Sequence, residues 1–535
     1  MIGNERNRAT IRRDQGIEAA PAQVDEGRGR HERLIRRGIA AAFVICMVVF
    51  SAIPMSIGLR GHSNKDYSLW YQVGVALRQG LELYPDPSGG RLFPFMYPPS
   101  AAPILGFLSL VGQHGTTLVL ILGHSAAWIG AIGLSVWLAI GGKPGRRGEG
   151  PAGVVWRQHP LLLVGPSLCI IALIHNTYLL GQPNLALLTL LLGAFACLRL
   201  GREAWAGVLV ATAAAIKAFP ILALGYFLYR RHWRASAATV AALAVWLLVV
   251  PLPFRTPAQA VRDVSVWARG MVFTYNTHGI AQRPYRSFSY KNQSIMALAH
   301  RLLRDVPADG ERAISAHVAK LRQERAAAGL PMPPPGSGMI DLHAMLTSPP
   351  RAPDVELRYA DVEPALRRAW RVNVASLDFR TVTAVTLAAM LGLSLFVVAV
   401  LPPRGARTAR SDAIEFALVT LLIVMFSPLS FNYAYVWLIY PLTVALHLVL
   451  NEPSRGRIRT LELAWIAAVF AIPGLAVVAP VSAQAYGNLF VPAVLLVVGL
   501  GLRLGATRRV DEFRGAMALV HGRGRPAGLG RSAAR

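Results

Sequence analysis

The sequence predicts an all-α, polytopic transmembrane protein. Three observations carry this: 54% of the 535 residues are hydrophobic and only 16% charged, the mean hydropathy is positive, and long runs lack any Asp, Glu, Lys or Arg. A bilayer core needs about 20 apolar residues per helix. Such runs extend from Gly38 to Leu59, Leu92 to Gly142, Gln158 to Leu198, Ala235 to Phe254, Thr381 to Pro403, Phe416 to Asn451 and Leu463 to Leu502. Several have the length of helical hairpins, so about ten full crossings plus re-entrant or partial helices are expected.

A net charge of +27 would point to nucleic acid in a soluble protein. Here the arginines collect between the apolar runs, where they orient helices in a bilayer, so no nucleic-acid partner is expected and membrane lipids are. Cys46, Cys169 and Cys197 all fall inside apolar runs and read as small core residues. The polar, Arg-rich first 37 residues are too long for a signal-peptide n-region, so the first apolar run is expected to stay as an anchor.

With the basic N-terminus in the cytoplasm, the gaps at 143–157, 199–202, 230–234, 404–410 and 455–459 and the tail after Arg503 all fall inside. Outside lie 60–96, the Gly181-Gln182-Pro183-Asn184 turn, 255–380, 427–432 and 481–488. Two stretches strain the alternation. Leu92–Gly142 holds two helix lengths but must cross once, and Ala204–Tyr229 must not cross at all. Half-length helices reconcile both. The chain divides into a basic cytoplasmic tail (1–37), a transmembrane module (38–254) whose first outer loop is 60–96, a long extracytoplasmic loop (255–380), a second transmembrane module (381–504) and a basic tail (505–535). The long loop contains the helix-breaking run Pro331-Met332-Pro333-Pro334-Pro335-Gly336, and its Ala313–Ala328 part has helical composition.

Chemistry-bearing residues cluster in the outer gaps. Asp66 follows the first crossing and opens a short amphipathic helix carrying Leu69, Val73, Ala76 and Leu77, suited to lie on the membrane surface and ended by Gly80. It either stabilises that helix's positive end or sits at a lipid headgroup. Tyr97-Pro98-Pro99 marks a return into the membrane. Gln182 and Asn184 either satisfy their turn or reach a hydroxylated ligand. Lys217 is the one charge between Glu203 and Arg230; it either snorkels to an interface or meets an anion such as a lipid phosphate. Lys291, Asn292 and Gln293 precede a helical stretch ending near Arg304, with Arg283 and Arg286 adding positive potential.

Asp66 after the first helix, Gly80 with Leu83-Tyr84, Tyr97-Pro98-Pro99, Gly181-Gln182-Pro183-Asn184, the Ala-rich run into Lys217 and Pro220, Asn292-Gln293-Ser294 and Ser427-Pro428-Leu429-Ser430 form an ordered set. Over roughly 36–450 the set resembles glycosyltransferase family 87, a GT-C branch that includes mannosyl- and arabinofuranosyltransferases using polyprenyl-phosphate sugars. It departs from that family where histidines often follow Ser-Pro-Leu-Ser; Phe431-Asn432-Tyr433 stands there instead. The insertion at about 305–378 is also outside the pattern.

The resemblance implies a plasma-membrane enzyme with an extracytoplasmic site. It would transfer a mannose-like hexose or a pentose from a polyprenyl-phosphate donor to a glycan or glycolipid acceptor, with inversion. Asp66 would be the base. Lys217, aided by Lys291, would steady the leaving phosphate, while Gln182, Asn184, Asn292, Gln293 and Tyr97 would bind substrate. No cofactor is called for, and the sequence is silent on metal. Two other classes share the profile. A transporter or flippase of a lipid-linked solute would show paired halves, which are absent; a polysaccharide polymerase or ligase would lack an Asp after the first helix.

Overall fold

The structure is a computed structural model and describes residues 21–59, 66–84, 93, 95–141, 160–282, 286–327 and 359–522. It is helical, and the strands named among the described residues form one hairpin, Tyr275–Asn276 with Gly279–Ile280.

Helix α1 (Pro21–Leu59) shows what lipid solvent permits. Phe43, Cys46, Met47 and Phe50 recur at helical spacing and pack on the core, Phe43 edge-on to Trp128 at 5.2 Å, while Val44, Ile45, Val48 and Val49 stay exposed. Lipid tails are as apolar as those side chains, so their exposure carries no penalty.

Helix α2 (Asp66–Arg78) ends before Gly80 at φ 74°, as its sequence predicts. Its apolar face packs on protein. Val73, Ala76 and Leu77 are buried against α3 (Ala101–Leu108), because Gly74 lets the Leu105 carbonyl approach so closely that a Cβ would sit 2.2 Å from its oxygen. A 3-10 turn and Gly112 at φ 76° then lead into α4 (Gly112–Ala139). Residues 101–139 count as one candidate span.

Helices α5 (Pro160–Cys169) and α6 (Ile171–Leu180) form a span bent by 63°. Next, α7 (Asn184–Arg199) is apolar on nearly all sides and buried: Leu185, Leu188, Leu192 and Phe195 are enclosed, and Phe195 stacks on Phe416 at 4.4 Å.

The second strained stretch is two half-helices, α8 (Glu203–Ile216) and α9 (Ala223–Tyr229), broken at Lys217. His232, just past α9, meets Glu203 at the start of α8 (Nδ1 to Oε1, 2.7 Å). The two ends of the unit therefore lie together. From there α10 (Trp233–Ala244) runs alongside α8, with Gly207 against the Ala235 carbonyl and Trp246 Nε1 donating to Thr212 Oγ1 at 3.2 Å. Small residues admit this close backbone approach.

The long loop contains α11 (Pro257–Met271), the hairpin, α12 (Ile295–Leu303), α13 (Gly310–Ala327) and α14 (Tyr359–Arg368). Helix α13 fills the stretch of helical composition; the Pro-rich run lies outside the described residues. The C-terminal module comprises α15 (Phe379–Val400), α16 (Ala409–Phe426), a 3-10 segment (Asn432–Leu438), α17 (Ile439–Asn451), α18 (Arg457–Ala471), α19 (Leu475–Val478), α20 (Pro480–Ala485) and α21 (Phe490–Gly522).

Among the described residues, five helices are long and apolar enough to cross a membrane, or six if the bent pair is one span, and this count does not reach the expected ten or so crossings. Five further apolar helices have 10–17 residues. At 1.5 Å per residue even 17 residues reach only about 26 Å against a core of about 30 Å, so each of these falls short of a full crossing by itself.

Side-chain bonds nevertheless sort the gaps into two faces. Arg199 donates to the carbonyls of Leu138 and Ala409 (both 2.8 Å), and Arg410 pairs with Glu452 at 2.5 Å, joining gaps expected inside. Trp70 Nε1 donates to the Gly181 carbonyl at 2.9 Å, and Gln293 to that of Gln484 at 2.6 Å, joining gaps expected outside.

Candidate active site

The site forms where α2 meets the turn between α6 and α7. Gly181, left-handed at φ 71°, ends α6, and Gln182 N bonds back to the Thr177 carbonyl at 3.1 Å. Any Cβ on Gly181 would meet the Tyr67 ring at 3.0 Å, so glycine is required both by conformation and by space. Tyr67 donates to the Tyr178 carbonyl at 2.7 Å, and together with the Trp70 bond this straps α2 to the turn. Burial, then Tyr178 and Asp66, raise the Tyr67 hydroxyl well above its ordinary range, which keeps it a donor.

That strap presents Asp66, half-buried, to the turn. Gln182 Nε2 donates to Asp66 Oδ2, and Tyr97 donates its hydroxyl to Gln182 Oε1 at 2.9 Å. Tyr97 is itself held: its carbonyl accepts from Tyr84 at 2.7 Å, its ring lies 4.5 Å from Trp70, and the neighbouring Met96 carbonyl accepts from Trp267 at 3.0 Å.

Lys217 arrives from the other side. It caps α8 in an extended conformation (φ −151°, ψ 125°), so it stands at a helix break and not inside an apolar helix. Its Nζ lies 5.7 Å from the Tyr97 and Phe219 ring centres and 5.3 Å from that of Tyr433, and it donates to Asn184 Oδ1 at 3.4 Å. The rings offer the ammonium their negative faces. Asn184 is fully buried, yet its Nδ2 has no hydrogen-bond partner among the described residues. An unspent amide donor beside an ammonium suits an oxyanion.

Asp66, Gln182, Tyr97, Lys217 and Asn184 thus form one constellation. The amide nitrogens of Asn292 and Gln293 bond to backbone, while Gln293 Oε1, also buried, has no partner among the described residues. Asn292 Nδ2 donates to the carbonyls of Ser287 (2.8 Å) and Pro428 (2.9 Å), and Gln293 Nε2 to those of Tyr290 and Gln484 (both 2.6 Å). Asn292 also forms a β-bridge with Phe431, and Gln293 N donates to the Ser430 carbonyl at 2.7 Å. These bonds fasten the segment that delivers Tyr433 to Lys217. Lys291 is exposed, its Nζ 5.9 Å from the Tyr290 ring centre. Arg283 lies outside the described residues.

Sequence reading missed Tyr433 and Arg301. Arg301 is fully buried and donates to the carbonyls of Phe288, Ser289, Asn292, Gln484 and Ala485 at 2.8–3.4 Å. Burial pushes its guanidinium down to about 9. Its spacing in an ordinary amphipathic helix gave no warning. The Tyr433 signal was present but inverted, as an aromatic where histidines were looked for.

Residues 95–328 match the sequence profile of glycosyltransferase family 87. The resemblance read from the ordered motifs therefore holds over that stretch. A polyprenol-phosphate-mannose-dependent alpha-(1-2)-phosphatidylinositol mannoside mannosyltransferase from Mycobacterium tuberculosis is 30% identical over 194 residues. Those residues are 34% of this chain, which spans only 43% of that relative. No solved structure matches the chain. The family 87 stretch holds Tyr97, Gln182, Asn184, Lys217, Lys291, Asn292 and Gln293. Asp66 precedes it and Tyr433 follows it, and side-chain contacts bring both to it.

Proposed function

We propose that the chain is an integral membrane glycosyltransferase that moves a mannose-like hexose, or a pentose, from a polyprenyl-phosphate donor to an extracytoplasmic glycan or glycolipid. The observation that carries this reading is the short relay of neutral groups, Gln182, Tyr97 and Asn184, that sets Asp66 and Lys217 into one constellation. A glycosyl phosphate already carries its activation, so the reaction needs a base at one end and an oxyanion clamp at the other.

Asp66 accepts the proton of an acceptor hydroxyl while that oxygen bonds to the anomeric carbon. The bond from that carbon to the phosphate oxygen breaks on the opposite face, inverting the centre. Polyprenyl phosphate leaves with the electron pair, its charge met by Lys217 and the unspent Asn184 donor. The proton on Asp66 then passes to water. The Mycobacterium tuberculosis relative, whose name specifies a polyprenol-phosphate-mannose donor and a phosphatidylinositol mannoside acceptor, supports this substrate class.

In this reading the site faces the outside of a plasma membrane. The test is a transfer assay in membranes with a panel of radiolabelled polyprenyl-phosphate sugars, with the anomeric configuration of the product read by NMR. Transfer from one donor with inversion is expected. No transfer from any donor, or a retained configuration, would sink the reading.

A further inference from the structure

We propose that Asn176, Asn432 and Gln484 form a subsite for an uncharged sugar ring beside the Asp66 and Lys217 centre; the proposal rests on the transferase reading above. The three amides come from α6, the 3-10 segment and α20, and all are half-buried. Asn176 Nδ2 donates to Asn432 Oδ1 at 3.3 Å, and Asn432 Nδ2 donates to Gln484 Oε1 at 3.4 Å. Both bonds are longer than the usual 2.7–3.2 Å for N–H···O, so the row is loosely closed.

The row runs in one direction and leaves complementary ends. Among the described residues, the Asn176 Oδ1 acceptor and the Gln484 Nε2 donors have no partner. A sugar hydroxyl both donates and accepts, so a ring with neighbouring hydroxyls can satisfy the two ends, or slip between the amides and exchange two long bonds for shorter ones. No charge stands among the three groups, which favours a neutral polyol over an anion. Asn176 and Asn432 also belong to segments counted as candidate membrane spans, where a polar side chain calls for a functional partner.

The chain links the row to the phosphate clamp. Tyr433, the next residue after Asn432, carries the ring 5.3 Å from Lys217 Nζ. Asn432 Oδ1 also accepts from Tyr433 N at 2.8 Å, but pinning the turn does not require the bonds to Asn176 and Gln484. The segment is already fixed by Asn432 N donating to the Lys291 carbonyl at 2.9 Å, Gln293 N to that of Ser430 at 2.7 Å, and Tyr435 to that of Gln293 at 2.5 Å.

The test uses the full chain in lipid nanodiscs and two pairs of probes. Farnesyl-phosphoryl mannose against farnesyl phosphate isolates a donor sugar; octyl mannoside against octanol isolates an acceptor sugar. Wild type is expected to bind the sugar-bearing member of a pair more tightly. Asn176→Ala and Gln484→Ala are expected to shrink that increment by about 2- to 13-fold while leaving farnesyl phosphate binding intact. Asn176→Ser is the milder companion should an alanine variant fold poorly. Loss confined to one pair assigns the subsite to donor or to acceptor, and either supports it. Unchanged increments in both pairs, or equal loss of sugar-bearing and sugar-free binding, would overturn it. Failure of wild type to bind farnesyl phosphate would instead strike the transferase reading.

Discussion

The two faces of the helix bundle use charge in opposite ways. On the face expected inside, Arg230 and Glu415 touch directly, at 2.5 and 2.6 Å, both fully enclosed; Tyr226 adds a bond to Glu415 at 2.6 Å, and Arg230 a further one to the Pro402 carbonyl at 2.9 Å. On the other face, Asp66 and Lys217 stay half-buried. Each is hydrogen-bonded to a neutral amide, and the ammonium is ringed by three aromatic faces. The first arrangement consumes its charges to hold the end of the α8–α9 unit against α16. The second presents its charges through neutral groups, which suits a reaction in which charge must develop and move.

That contrast can be broken by substitution. The largest effect is expected from Asp66→Asn, which keeps shape and removes the base. Transfer should fall by about 10²- to 10⁴-fold in a steady-state assay, with membrane insertion unchanged. Glu415→Ala should instead cost about 3–5 kcal/mol of stability by stranding a buried guanidinium. Thermal unfolding in detergent would report it, while the rate per folded molecule stays near wild type.

Lys217→Ala should slow transfer by about 10²- to 10³-fold, with the loss falling on the lipid-phosphate donor and sparing the acceptor KM. Tyr433→Ala removes one cation–π face and should weaken donor binding by about 2- to 30-fold.

A last prediction concerns pH and the outer loop. Burial, with Arg304 adding to it, pushes His300 down to about 3, and the ring stays neutral between Tyr275 (2.6 Å) and Arg304 (3.2 Å). The unfolded chain takes up its proton near the ordinary 6.5, before the folded one does. The contribution is therefore fully present above about 6.5 and is lost as pH falls towards 3. Melting curves across that window should show the loss in wild type and less of it in His300→Gln.

Legibility in the sequence followed the same division. Asp66, Gln182, Asn184, Lys217 and Tyr97 could be read because polar residues in apolar surroundings stand out, and the structure brings all five together. Asn292 and Gln293 stood out equally, but their amide nitrogens bond to backbone carbonyls, while the buried Gln293 Oε1 has no partner among the described residues; sequence shows a polar side chain without showing its partner. The break at Lys217 had a signal in Pro220, which cannot continue a helix. The number of full spans was not legible, because a half-length helix and a full one are equally uncharged.

The most direct test of the central claim is a cryo-electron microscopy structure with a non-transferable polyprenyl-phosphate sugar analogue. The account predicts phosphate oxygens within about 3 Å of Lys217 Nζ and Asn184 Nδ2, with the anomeric carbon turned towards Asp66. A phosphate seated away from Lys217, with Asp66 facing no sugar, would contradict it.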